Sequence, residues 1–144
     1  MDWHHLFLRF DGRINRTPYW IAMGVLLVAE FISFSLGYGR GDERLSALLE
    51  LAILYPEAAV LFKRAHDRDM PEKVVIAYMA LAVVLSGLTV FGLGGTSEEP
   101  SALYWLVALP CMALALYLFV ELGFRRGVNG PNAHGPDPLA GQRD

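Results

Sequence analysis

The sequence is poor in cysteine: Cys111 stands alone inside an apolar run, so no intramolecular disulfide can form and no cysteine-based metal site can be built. It reads as a small packing residue. Its apolar stretches also lack the polar residue every few positions that would give each helix a wet face, and this excludes an ordinary soluble domain. No basic stripe interleaved with aromatics is present, so nucleic acid is not an expected partner. There is no Ser/His/Asp or Cys/His constellation and no phosphate-binding loop, and the adjacent pair His66-Asp67, with Asp69, His134 and Asp137 as further donors, falls short of the ligand spacings that zinc sites use. No catalytic residue, metal ligand or cofactor is therefore expected.

What is there is length without interruption. The 144 residues make about one domain, 54% of them apolar and 19% charged, with the charges gathered between apolar runs. Each run is about twenty residues long, the reach of one helix across a hydrocarbon core of about 30 Å. The expected fold is all-α: a single polytopic membrane domain over residues 1–144, with spans near 18–38, 45–62, 74–93 and 102–124. Pro18 can open the first span, with Tyr19 and Trp20 at headgroup level, and Gly37, Gly39 and Gly41 end it. Pro56 is expected to kink the second, and Gly92, Gly94 and Gly95 stop the third. Tyr104 and Trp105 anchor one end of the fourth, Arg125 and Arg126 the other.

Ahead of the spans, Trp3, Leu6, Phe7, Phe10 and Ile14 recur at three- and four-residue spacings, which predicts an amphipathic interfacial helix within residues 1–17 that Gly12 weakens. The apolar run behind it is too long for a signal-peptide core and no small-residue cleavage site follows, so this segment is expected to stay in the mature protein. After the spans, residues 125–144 are rich in Gly, Pro and Asn and predict a non-helical cap or tail. The N-terminal segment carries three Lys and Arg, the 63–73 loop four and the tail three, against Arg40 and Arg44 alone on the other side. Ten against two places both termini in the cytoplasm by the positive-inside rule.

Four glutamates lie inside apolar spans, where a carboxylate costs about 2.5–3.5 kcal/mol on insertion scales and is expected to face other helices: Glu30, Glu50, Glu57 and Glu121. One reading is a proton or cation relay, since Glu50, Glu57 and Arg64 stand seven apart on one face. The other is structural, with Glu57 and Glu121 close enough to the inner end to reach Arg125, Arg126, Lys63 or Arg64.

Three segments abut the inner ends of the spans: Gly12, Arg13, Asn15 and Arg16 with Phe10 and Asp11; Lys63, Arg64, His66 and Asp67; and Gly130, Asn132, Gly135, Asp137 and Pro138. A compact bundle brings them together as one polar cluster. Arg13 and Arg64 are expected to pair with Asp67, Asp137 or Glu121, while Asn15 and Asn132 bond turn backbone. In order and spacing these segments resemble domain-of-unknown-function family 805, the YhaH-like small bacterial inner-membrane proteins. Family members typically carry leucine where Ala65 stands and a Ser-Gly-Trp-like turn where this chain has Asp69-Met70-Pro71-Glu72-Lys73. The resemblance implies a bacterial inner-membrane location and this fold; it implies no activity.

The function expected is a non-enzymatic binding or structural role, in which the cluster meets anionic membrane lipids or a membrane or cytoplasmic protein partner. The alternative is a proton-coupled transporter or channel subunit using Glu30, Glu50 and Glu57, and the second is an enzyme acting on a lipid-linked substrate through His66 and Asp67. Four short spans enclose little volume, so a wide pathway would require a homo-oligomer.

Overall fold

Most of the helices begin at a side chain that satisfies one of the first free backbone N–H groups. In the computed structural model, which describes residues 2–140, Asp2 accepts from the His5 N–H at 3.1 Å to open α1 (Trp3–Leu8). Asn15 accepts from Thr17 N–H at 3.0 Å ahead of α2 (Arg16–Gly37), Asp42 from Leu45 N–H at 3.0 Å ahead of α3 (Glu43–Asp67), and Ser101 from Tyr104 N–H at 3.1 Å ahead of α5 (Ala102–Gly123). Only α4 (Glu72–Val90) starts without a side-chain cap, behind Pro71 and with Glu72 in its first turn. A 3-10 turn, Tyr38–Arg40, follows α2. Among the described residues there is no strand, only isolated bridges.

Helices α2 to α5 are each long and apolar enough to cross a membrane. Their outward faces carry the apolar surface: Leu27, Phe31 and Leu106 are 70%, 69% and 72% exposed. A soluble protein could not leave that much uncovered. Lipid offers little hydrophobic drive between helices, so close approach has to come from small residues. Gly37 shows it: a Cβ there would lie 2.7 Å from Ser46 N, while Ser33 donates to the Ser46 carbonyl at 3.2 Å.

Successive helices pack side by side, and α5 comes back to α2 where Trp20 donates to the Gly123 carbonyl at 3.1 Å and meets Phe119 edge-on. Between them the bundle leaves two adjoining grooves of about 350 and 450 Å³, sharing Met23, Glu57, Tyr78 and Phe119. The dense core includes Leu6, Ile14, Tyr19, Leu61, Val75 and Leu122, so α1 and the strap behind it pack on the bundle.

Two boundaries differ from the sequence reading. The N-terminal helix stops at Leu8 instead of running toward residue 17, because Lys63 takes the His5, Leu6 and Arg9 carbonyls that a continuing helix would use. The second span runs on to Asp67, so Lys63, Arg64, His66 and Asp67 occupy helix, and the chain turns only at Asp69, with φ 53°, before Pro71. α3 also passes through Pro56 without ending. Residues after Phe124 form turns without helix as far as Ala140; the part of the expected cap at 141–144 lies outside the described residues.

Candidate functional site

At one end of the bundle, hereafter the polar end, α3 brings its last turns beside the strap between α1 and α2 and the segment after α5. The centre is Asp67. Arg13 donates to its Oδ1 at 3.1 Å and Arg64 to its Oδ2, with side chains 1%, 0% and 4% exposed for Arg13, Arg64 and Asp67. Two guanidiniums against one carboxylate leave positive charge over, and backbone oxygen absorbs it. Arg13 also donates to the carbonyls of Gly130 and Val128, each at 2.8 Å, and Gly135 at 3.4 Å. Arg64 donates to those of Leu122 at 2.7 Å, Arg125 at 2.6 Å and Ile14 at 3.4 Å. The Leu122 carbonyl is one of those left free at the end of α5, where a cation is favoured. Arg13 Nε is left without a hydrogen-bond partner among the described residues.

Lys63, one position earlier, is wholly buried and plays the same part for α1. Its ammonium donates to the carbonyls of Leu6 at 2.6 Å, Arg9 at 2.7 Å and His5. Exposed Asp11 bonds Arg9 at 3.0 Å, and that contact holds its carboxyl below the ordinary carboxylate range. His66 reaches the Gly12 carbonyl through Nδ1 at 3.1 Å and a Glu72 oxygen through Nε2 at 3.0 Å. The ring of His134 stacks on it with centroids 3.8 Å apart and 8° between planes.

The cap after α5 is held by its own turn. Asn132 and Gly135 exchange backbone bonds at 3.1 Å, Asn132 donates to the His66 carbonyl at 2.9 Å, and Asp137 accepts from the Gly130 and Leu139 N–H groups at 2.9 Å. Pro138 follows, half-buried. Val128 N–H bonds the Asp67 carbonyl at 2.8 Å, and Gly127 passes so near that any Cβ would overlap the Asp67 carboxylate. That approach demands glycine.

The structure thus brings Gly12, Arg13, Arg64, His66, Asp67, Gly130, Asn132 and Gly135 into one bonded cluster. Asn15 caps α2, and Arg16 lies at the rim, exposed, donating to the Phe124 carbonyl at 3.4 Å. Asp137 braces the cap through the Gly130 and Leu139 N–H groups, and Asp67 takes both arginines. Glu121 pairs with Arg68 at 2.7 Å and Arg125 at 3.1 Å. Asp67, shut in by two guanidiniums and Gly127, is badly placed to act as a base.

The other glutamates sit mid-bundle, half-buried. Glu57 accepts from the Tyr78 hydroxyl at 3.1 Å and Glu50 from Ser46 at 3.2 Å; neither pairs with a lysine or arginine among the described residues. Glu30 lines the larger groove with Glu57 and has no hydrogen-bond partner among the described residues. Sequence reasoning missed Glu72, for which a helix-opening glutamate beside a motif histidine was the available signal; it set His134 with His66 as a possible donor but did not foresee the stack.

The family described as "Protein of unknown function (DUF805)" has a model that matches residues 7–136. An uncharacterized protein, YiiR, of Escherichia coli K12 is 31% identical over 135 residues, covering 89% of this chain and 84% of the relative. The YiiR protein of Escherichia coli O157:H7 is similar to the same extent. No solved structure matches the chain.

Proposed function

The chain belongs to the DUF805 family, and from that premise we propose that it is a non-enzymatic, multi-pass protein of the bacterial inner membrane whose polar end faces the cytoplasm and binds anionic phospholipid headgroups. The observation that carries this reading is the division of the cations. Arg13, Lys63 and Arg64 are consumed inside the cluster, while Arg16, Lys73, Arg125 and Arg126 are exposed around it. Each exposed one stands at or just beyond the end of an apolar helix, the depth at which headgroups lie. Lys73 and Arg126 have no ion pair among the described residues. Near an anionic surface each such cation contributes about 1 kcal/mol.

Native mass spectrometry of the detergent-solubilised protein tests the lipid contact. Phosphatidylglycerol adducts should survive on the wild type and weaken at least about tenfold when Arg16, Lys73, Arg125 and Arg126 are all changed to glutamine, with phosphatidylethanolamine as the neutral control. Equal retention of both lipids, or by both proteins, defeats the reading, and retention of a co-purified protein instead would name a protein partner. For orientation, a reporter fused after residue 70 should read cytoplasmic and one after residue 98 exported. The reverse pattern would put the polar end outside.

A second reading rests on Glu30 of α2 and Glu57 of α3, which line one groove. A proton-coupled transport subunit would show flux in proteoliposomes that glutamine at both positions abolishes.

A further inference from the structure

Both ring nitrogens of His66 face groups that accept. The Gly12 carbonyl, 3.1 Å from Nδ1, can do nothing else, so Nδ1 carries a proton. Nε2 then points at a Glu72 oxygen 3.0 Å away, and an ionised carboxylate also only accepts. Either Nε2 carries a second proton or its lone pair faces another lone pair, and a metal cation relieves that opposition. A histidine whose Nδ1–H is held by a backbone carbonyl and whose Nε2 is free toward a carboxylate is in the form that binds metals, with its supporting hydrogen bond in place.

The third donor comes from the cap. His134 lies on the same ring face, and one ligand atom from each of His66, Glu72 and His134 falls within 4.8 Å of the others. We propose that these three residues form a divalent transition-metal site of the zinc type that ties the C-terminal cap to the α3–α4 turn. The donor set selects the ion: two imidazoles and one carboxylate suit zinc and its neighbours, whereas magnesium and calcium prefer oxygen alone. The His66 Nε2–Glu72 separation of 3.0 Å needs to open only to about 3.4 Å for both to ligate one tetrahedral ion with bonds of about 2.0–2.2 Å. Rings lying parallel cannot aim both lone pairs at one point, so binding turns His134 out of the stack. Glu72, 50% exposed, leaves the remaining coordination positions open to water.

Zinc chloride titrated into the full-length, detergent-solubilised protein, purified without a polyhistidine tag, tests this by calorimetry and by hydrogen exchange. One ion should bind per chain at micromolar concentration, magnesium should not compete, and exchange at residues 128–135 should slow. Glu72→Gln and His134→Ala should each weaken binding at least about tenfold, a loss that even supporting residues of metal sites produce. His66 is left intact because it is packed in the cluster. Absence of saturable zinc binding overturns the proposal. So does binding that survives both variants, or that is lost instead on changing His4 and His5 to alanine.

Discussion

Replacing Asp67 by asparagine keeps the shape of the side chain and removes the charge that Arg13 and Arg64 share. The side chains of Arg13, Arg64 and Asp67 are 1%, 0% and 4% exposed, so water does not take its place, and the other arginine bonds described above go to backbone carbonyls. The new amide keeps one oxygen for one guanidinium and turns its NH2 toward the other, donor against donor. Breaking a buried pair by removing one partner costs about 3–5 kcal/mol. That is a large part of the roughly 5–15 kcal/mol that holds a domain folded. At about 2–4 °C per kcal/mol the unfolding midpoint should drop by roughly 10 °C. The chain supplies its own reporter. Cys111 is the sole cysteine and 8% exposed, so a thiol-reactive fluorophore reads unfolding directly in detergent. Asp11→Asn is the control, because Asp11 and Arg9 are 61% and 59% exposed, and it should be indistinguishable from wild type. A shift for Asp67→Asn of less than about 3 °C would refute the claim that the shared carboxylate holds the cluster together.

Lys63→Met should free α1: with the carbonyls of His5, Leu6 and Arg9 unbonded, about 1–3 kcal/mol is lost, and hydrogen exchange over residues 3–12 should quicken while α4 and α5 stay protected. The glycines of α2 should part company. Gly37→Ala collides with Ser46 and should cost about 1–3 kcal/mol, read as a lower midpoint in the Cys111 assay, whereas Gly24→Ala, with nothing within 4 Å, should lie within about 1 kcal/mol of wild type.

The spans were readable because run length and bilayer thickness are the same kind of quantity, and a run of twenty apolar residues has few other uses. Their ends were less so. Lys63, Arg64, His66 and Asp67 read as loop because charge usually marks water, yet a helix cares only for its backbone bonds, and here each charge finds its partner inside the protein. The same blindness hid the destination of Arg13 and Arg64. Their motif segments pointed to one cluster, but six of their acceptors are backbone carbonyls, which every residue carries and no sequence pattern marks. One of the two readings of Glu57 had it reaching for a cation at the end of its helix; the Tyr78 hydroxyl, on the next helix, is its hydrogen-bond partner. The His66–His134 stack depends on how a cap folds back across 68 positions and left no local trace.

The carbonyls that hold Arg64 belong in part to Leu122 and Arg125, and those that hold Arg13 to Val128, Gly130 and Gly135. Translation delivers them last. While the ribosome is still making α5, the first three spans have already emerged with two strongly basic groups and only Asp67 between them. The bundle therefore closes from its far end: until residue 135 has been made, the early helices are an unfinished assembly with unmet donors at one rim. A chain cut short by a premature stop near residue 124 would keep every apolar span, enter the membrane and still lack its latch. In such a product Arg13 would lack the carbonyls of Val128, Gly130 and Gly135, and Arg64 that of Arg125.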